Sequence, residues 1–209
     1  MKYIITTTLL VLGLFCNAQI PIIKSNVNDE FKNRSLVYKT FYNKYDLLIA
    51  YKVSGGWRVG NTNIIQILAV KNNSWKKITL SYPDDNPSKQ TIKKLPLQKT
   101  EAKKLMEELG SQNFWTLNND SINMKHLKPQ TPPENYSKKD TLFIVANNPV
   151  TDVKVVDGST YYFEIIKGDS LRSYSTADPE IFAKYFPEIK SRIRFIKCKI
   201  AFENALNQL

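Results

Sequence analysis

The sequence predicts an α+β fold in which an antiparallel sheet, a meander plus C-terminal hairpins, is packed by a short helix and a long C-terminal helix that Pro187 kinks or splits. Three patterns lead there. Apolar and polar residues alternate over short runs between 47 and 82 and again between 142 and 175, the period of half-buried strands. Residues at helical spacing follow each set of strands. Gly, Pro, Asn and Asp separate the runs, because those residues supply the backbone angles that turns need.

The first residues read as an address. Lys2 is followed by an apolar run from Ile4 to Phe15 and then by Cys16-Asn17-Ala18 before Gln19, the layout of a secretory signal peptide, residues 1–18, cleaved after Ala18. The apolar run is shorter than the roughly 20 residues a bilayer core requires, so no transmembrane segment is expected. Phe15, where a lipoprotein signal has a small residue, argues against acylation of Cys16. The expected location is periplasmic or extracellular. Removing Cys16 leaves Cys198 as the one cysteine, so the mature monomer has no internal disulfide and relies on its apolar core. A chain of this size buries roughly 70% of the surface its unfolded state exposes, which is enough for one.

Residues 19–34 are polar without a period and read as a spacer, leaving 35–209 as a single domain, or as two sub-domains divided at a long loop over 118–140. Leu47, Ile49, Tyr51 and Val53 alternate with Leu48, Ala50 and Lys52 until Gly55-Gly56 ends a first strand. Asn63 to Val70 is almost wholly apolar, as in a strand covered on both faces. After a Lys71-Asn72-Asn73-Ser74 turn, Ile78, Leu80 and Tyr82 alternate with Lys77, Thr79 and Ser81 and complete the meander. Thr100 to Leu109 is a helix with Thr100 as its cap, and Phe114-Trp115 behind it reads as a core plug. Strands resume at Leu142–Ala146, Val153–Val156, Tyr161–Ile166 and Leu171–Ser175. Asp178-Pro179-Glu180 starts the last helical stretch, on which Ile189, Ile193, Ile196 and Ile200 form the predicted packing stripe and Lys190, Arg194 and Lys197 another face.

Charge is the strongest functional signal. The chain carries 30 Lys and Arg against 19 Asp and Glu, a net +11, which becomes +10 without Lys2. Lys71 to Lys104 holds nine lysines against Asp84, Asp85 and Glu101, a net +6, and Lys190, Arg192, Arg194, Lys197 and Lys199 form a second cluster. Such surfaces attract anions. The expected partner is an anionic envelope component or an acidic protein, bound through Lys76, Lys77, Lys190, Arg194 and Lys197; no nucleic-acid module matches. Trp57 and Arg58, at the tip of the Gly55-Gly56 turn, are further binding candidates, since exposed Trp and Arg are frequent hot-spot residues.

Chemistry is sparse by contrast. His126 is the one histidine and lies far from Cys198, so neither a zinc site nor a nucleophile with a base can be composed, and no metal or cofactor is expected. The Gly55 to Gly60 segment lacks the Lys-Ser/Thr ending of a phosphate loop. Paired carboxylates can be far apart in sequence, and Asp157 with Glu164 is the pair to examine for a polysaccharide hydrolase. A two-residue Gly168-Asp169 turn would set Glu164 opposite Ser173 and Arg172 opposite Ile165, leaving Glu164 without a cation across that hairpin. The reading is a non-enzymatic binding module, with hydrolase and inhibitor or immunity-like protein as the alternatives.

The Cys-Asn-Ala-Gln signal ending, Phe114-Trp115, the run Val156-Asp157-Gly158-Ser159-Thr160-Tyr161-Tyr162-Phe163-Glu164 and then Arg172-Ser173-Tyr174 resemble small uncharacterised exported proteins of Bacteroidota. This resemblance implies export and no particular activity. Asp120-Ser121-Ile122, Asp140-Thr141-Leu142 and Asp169-Ser170-Leu171 are also similar to the three-residue O-glycosylation sequon of that group.

Overall fold

A computed structural model describes residues 20–55, 61–124, 142–144 and 153–207. Two short helices come first, α1 (Asp29–Arg34) and α2 (Leu36–Phe41). Each is capped by a side-chain oxygen: Asn28 accepts from the Phe31 N–H and Ser35 from the Tyr38 N–H, which satisfies donors the first turn leaves open. The meander is β1 (Leu47–Gly55), β2 (Thr62–Lys71) and β3 (Ser74–Pro83), continued by β4 (Thr91–Pro96). Next come α3 (Lys99–Ser111), a single 3-10 turn (Phe114–Thr116), α4 (Asn119–Ile122), and the strands β5 (Leu142–Ile144), β6 (Val153–Val155), β7 (Ser159–Lys167) and β8 (Ser170–Ala177). Helices α5 (Pro179–Tyr185) and α6 (Lys190–Asn207) close the chain.

Six of the strands form one antiparallel sheet in the order β4-β3-β2-β1-β7-β8, and β5 pairs with β6 separately. The order puts β1 at the centre, paired with β2 on one side and β7 on the other. Hence Leu47 to Tyr51 are all buried, alternately on opposite faces, where the sequence suggested one wet side. On one face Ile49, Tyr51, Leu68, Phe163 and Tyr174 meet α3 and α6. Phe163 is the hub, its ring centroid 5.0 Å from Phe114, 5.6 Å from Phe195 and 5.4 Å from Phe202, all edge-to-face. On the opposite face Leu48, Ala50, Ile67, Ile78 and Leu80 pack against Val37 and Phe41 of α2. The sheet is therefore the middle layer of three, an α+β arrangement with helices on both sides.

Four expectations change. The stretch expected as a spacer is docked along the free edge of β8. The Ser25 hydroxyl accepts from the Leu171 N–H at 3.1 Å, and the Asn26 amide both donates to the Ser173 carbonyl (2.9 Å) and accepts from its N–H (2.8 Å). Asn119 and Asn123 satisfy Ser175 in the same way, so the edge is filled by side chains. Strand β4 has no apolar alternation and was invisible to pattern; its Lys93, Lys94 and Pro96 suit an exposed edge strand. Helix α3 begins at Lys99, so Thr100 lies in its first turn and Gln98 is the cap position.

The fourth concerns the last helix. Pro187 does split it into α5 and α6, with Pro179 in the first turn of α5. Of the predicted stripe only Ile189, just before α6, is buried, while Ile200 is 46% exposed and Ile193 and Ile196 are half-buried; the buried side of α6 is formed by Phe195, Cys198, Phe202 and Leu206. Both sets sit at helical spacing. The rings decide between them, since each buried phenylalanine contributes about 1.5–3 kcal/mol of transfer free energy and meets Phe163.

Candidate functional site

A cleft of about 240 Å³ lies between the sheet and the N-terminal helices, lined by Phe31, Val37, Ala50, Lys52, Ser54, Ile65, Tyr162 and Glu164. The strand register builds its floor. Ala50 pairs with Glu164 and Lys52 with Tyr162, so Lys52 and Glu164 are diagonal neighbours on one face of β1 and β7. They do not bridge, because each is drawn to a different partner. The Lys52 ammonium donates to the Tyr82 hydroxyl at 2.9 Å and sits 5.5 Å from that ring's centroid. The Ser35 hydroxyl donates to Oε2 of Glu164 at 2.5 Å, and the same Ser35 oxygen caps α2. Burial raises the Glu164 pKa above the ordinary carboxylate value, opposed by the Ser35 bond and by the Lys52 charge. As the sequence predicted, Glu164 lies opposite Ser173 and Arg172 opposite Ile165. Its cation comes from β1 on the other side, a neighbour the hairpin alone could not reveal.

Asp157 does not join this cleft. It is an exposed turn residue with φ 57°, before the start of β7. Seven residues of nearly extended chain separate it from Glu164, on the order of 20 Å at strand rise. Glycosidase pairs stand about 5–9.5 Å apart, and among the described residues Glu164 is the one carboxylate lining the cleft. Arg172 is structural: its guanidinium donates to the Leu117 and Lys24 carbonyls and to the Tyr174 hydroxyl.

The basic residues are distributed by the pleat. Lys76 and Lys77 are adjacent in β3 and therefore project to opposite faces, Lys76 paired with Ala69 and Lys77 with Leu68. Lys77 is half-buried and shares its face with Lys93 of β4, beside Thr79 and Ser81; burial and the neighbouring Lys93 lower the Lys77 pKa, opposed by the Glu101 carboxylate of α3. Lys76 looks the other way with Lys94. The lysines of β3 and β4 are thus divided between the two sheet faces. On α6, Lys190, Arg194 and Lys197 are exposed, interleaved with Ile193 and Ile200. Arg192 is buried, and Lys199 is held at 2.6 Å from Glu180 and 3.5 Å from Glu203, which removes both from the cluster the sequence suggested. Tyr51 donates to Glu203 on the same side, so this group ties β1, α5 and α6 together. Among the described residues, no ion pair involves Lys76, Lys77, Lys93, Lys94, Lys190, Arg194 or Lys197.

Trp57, Arg58 and His126 lie outside the described residues. Cys198 is buried and its thiol is pushed up to about 12 by desolvation, the behaviour of a packed apolar side chain rather than a nucleophile. Among the described residues, no group of three or more Cys, His, Asp or Glu could hold a metal, and no helix is long and apolar enough to cross a membrane. Of the sequon-like triplets, Asp120-Ser121-Ile122 falls within α4 and Asp169-Ser170-Leu171 opens at the β7–β8 turn, with Ile122 and Leu171 both fully buried, while Asp140 and Thr141 lie outside the described residues. Neither a protein-family model nor a curated protein sequence matches the chain.

Proposed function

We propose that this is an exported, non-enzymatic protein, periplasmic or extracellular, that binds an anionic component of the cell envelope. The observation that carries the reading is the set of exposed cations on β4 and α6, Lys93, Lys94, Lys190, Arg194 and Lys197, that form no ion pair among the described residues, while Lys103, Lys104 and Lys199 are ion-paired. Helix α6 packs on the same sheet face that carries Lys77 and Lys93, so its outer side and the uncovered part of that face look in one direction. A partner on that side meets Lys190, Arg194 and Lys197 of α6, with the exposed Lys93 on the same side of the sheet. The isoleucines beside the α6 cations favour a lipid headgroup surface over an acidic protein, since apolar area interleaved with cations suits an interface that is anionic above and apolar below.

Sedimentation with phosphatidylcholine vesicles, with and without phosphatidylglycerol, tests this. Each cation near such a surface contributes about 1 kcal/mol, so replacing Lys190, Arg194 and Lys197 by Gln should weaken binding about a hundredfold. Equal binding to neutral and anionic vesicles, or no loss in that variant, would overturn the reading.

A further inference from the structure

We infer that the cleft between β1, β7 and the N-terminal helices is a binding site for a small zwitterion of the amino-acid class, its ammonium group on Glu164, its carboxylate on Lys52 and its apolar side chain against Phe31, Val37 and Ile65. The inference is independent of the anionic partner proposed above and concerns the opposite face of the sheet.

Opposite charges normally close on each other when diagonal neighbours share a strand face. Here they are held apart. Tyr82 takes one of the three Lys52 donors and leaves two, and Ser35 takes Oε2 of Glu164 while no hydrogen bond among the described residues takes Oε1. The rest of the lining is apolar, formed by Ala50, Val37, Ile65 and Phe31, apart from Ser54 and Tyr162, which add hydroxyls. Few convergent polar groups over an apolar lining is the composition of a ligand pocket. The volume, about 240 Å³, is below the roughly 300–1,000 Å³ of sites for drug-sized molecules, which restricts the occupant to a small one. A ligand with one charge would satisfy one end and desolvate the other. An amphoteric ligand satisfies both, and its ammonium favours the ionised form of a carboxyl whose pKa burial raises.

The titratable and charged groups facing Glu164 are Lys52 from β1 and Tyr162 from β7, with the Ser35 hydroxyl approaching from the helices. Each has a separable readout. The full chain is titrated calorimetrically with the apolar amino acids from valine to phenylalanine, and the best of these is compared with its amide, which lacks the carboxylate, and with the acid lacking the amine. The expected result is binding of at least one amino acid, with both single-charge analogues at least tenfold weaker. Lys52→Met should reduce the amino acid to the affinity of its amide, and Glu164→Gln, which preserves an acceptor for Ser35, to that of the deaminated acid. Circular dichroism confirms that both variants are folded. No binding by any member of the series, analogues that bind as well as the parent, or affinities unchanged in both variants would each overturn the assignment. Vesicle binding through the other face should be unaltered in both variants, which separates failure of this site from failure of the anionic reading.

Discussion

A carboxyl group raised by burial leaves a signature in the pH dependence of stability. The folded-state pKa of Glu164 lies above its unfolded value, so its contribution is fully favourable below the unfolded pKa, about 4.3, and is lost as pH rises through the folded value. Glu164→Gln should therefore melt at a higher temperature than the parent at pH 7 and at about the same temperature below pH 4; thermal denaturation at the two pH values checks this. Gly55 makes a second residue-scale prediction. Its φ is +80°, and a Cβ built there lies 2.7 Å from the Gly158 carbonyl oxygen, a backbone atom that cannot swing away. Gly168 also has positive φ, +54°, but a Cβ meets nothing within 4 Å. Gly168→Ala should cost about 1 kcal/mol and Gly55→Ala clearly more, up to about 3 kcal/mol, in urea denaturation. The sequence already marked Gly55 and Gly168 as turn residues and set Glu164 opposite Ser173. It could not show Lys52 or Ser35 beside Glu164, because those contacts join positions 112 and 129 residues apart, and no local pattern records which distant strand lies on the far side of a hairpin.

At the level of elements, strands and helices with a single apolar period were legible and those without one were not. The meander and the β7–β8 hairpin follow their alternation and turns, including the register around Glu164. Edge strand β4 escaped because edges are kept polar, and α6 was assigned the wrong stripe because it is apolar over much of its circumference. The correction is testable. Phe195→Ala should destabilise by about 3–5 kcal/mol, as loss of a fully buried ring does, whereas Ile200→Ala should stay within about 0.5 kcal/mol. The reverse order in chemical denaturation would restore the isoleucine stripe. The covered edge of β8 makes a parallel case. Asn26→Ala removes two hydrogen bonds to Ser173, each worth about 1 kcal/mol net, and should speed amide exchange at Ser173 while leaving the β1–β2 pairs protected.

Across the whole molecule, the two sheet faces serve different ends. One is covered by short helices that leave a cleft lined by Lys52 and Glu164; the other carries α3 and α6, with Lys190, Arg194 and Lys197 exposed on α6. Composition alone announced the net charge, and two clusters in sequence located it approximately. The pleat and the helix register then redistributed it: Lys76 and Lys77 part company and are half-buried, Arg192 is buried and Lys199 ion-paired, and Lys93, Lys94, Lys190, Arg194 and Lys197 remain exposed. The account stands on these exposed charges acting on an anionic surface. Its most direct test is the affinity of the full chain for phosphatidylglycerol-containing vesicles as ionic strength rises from ~0.01 M to ~1 M, over which the screening length falls from about 30 to about 3 Å. Affinity should fall steadily across the range and vanish toward its upper end; binding that is unchanged by salt would contradict the account.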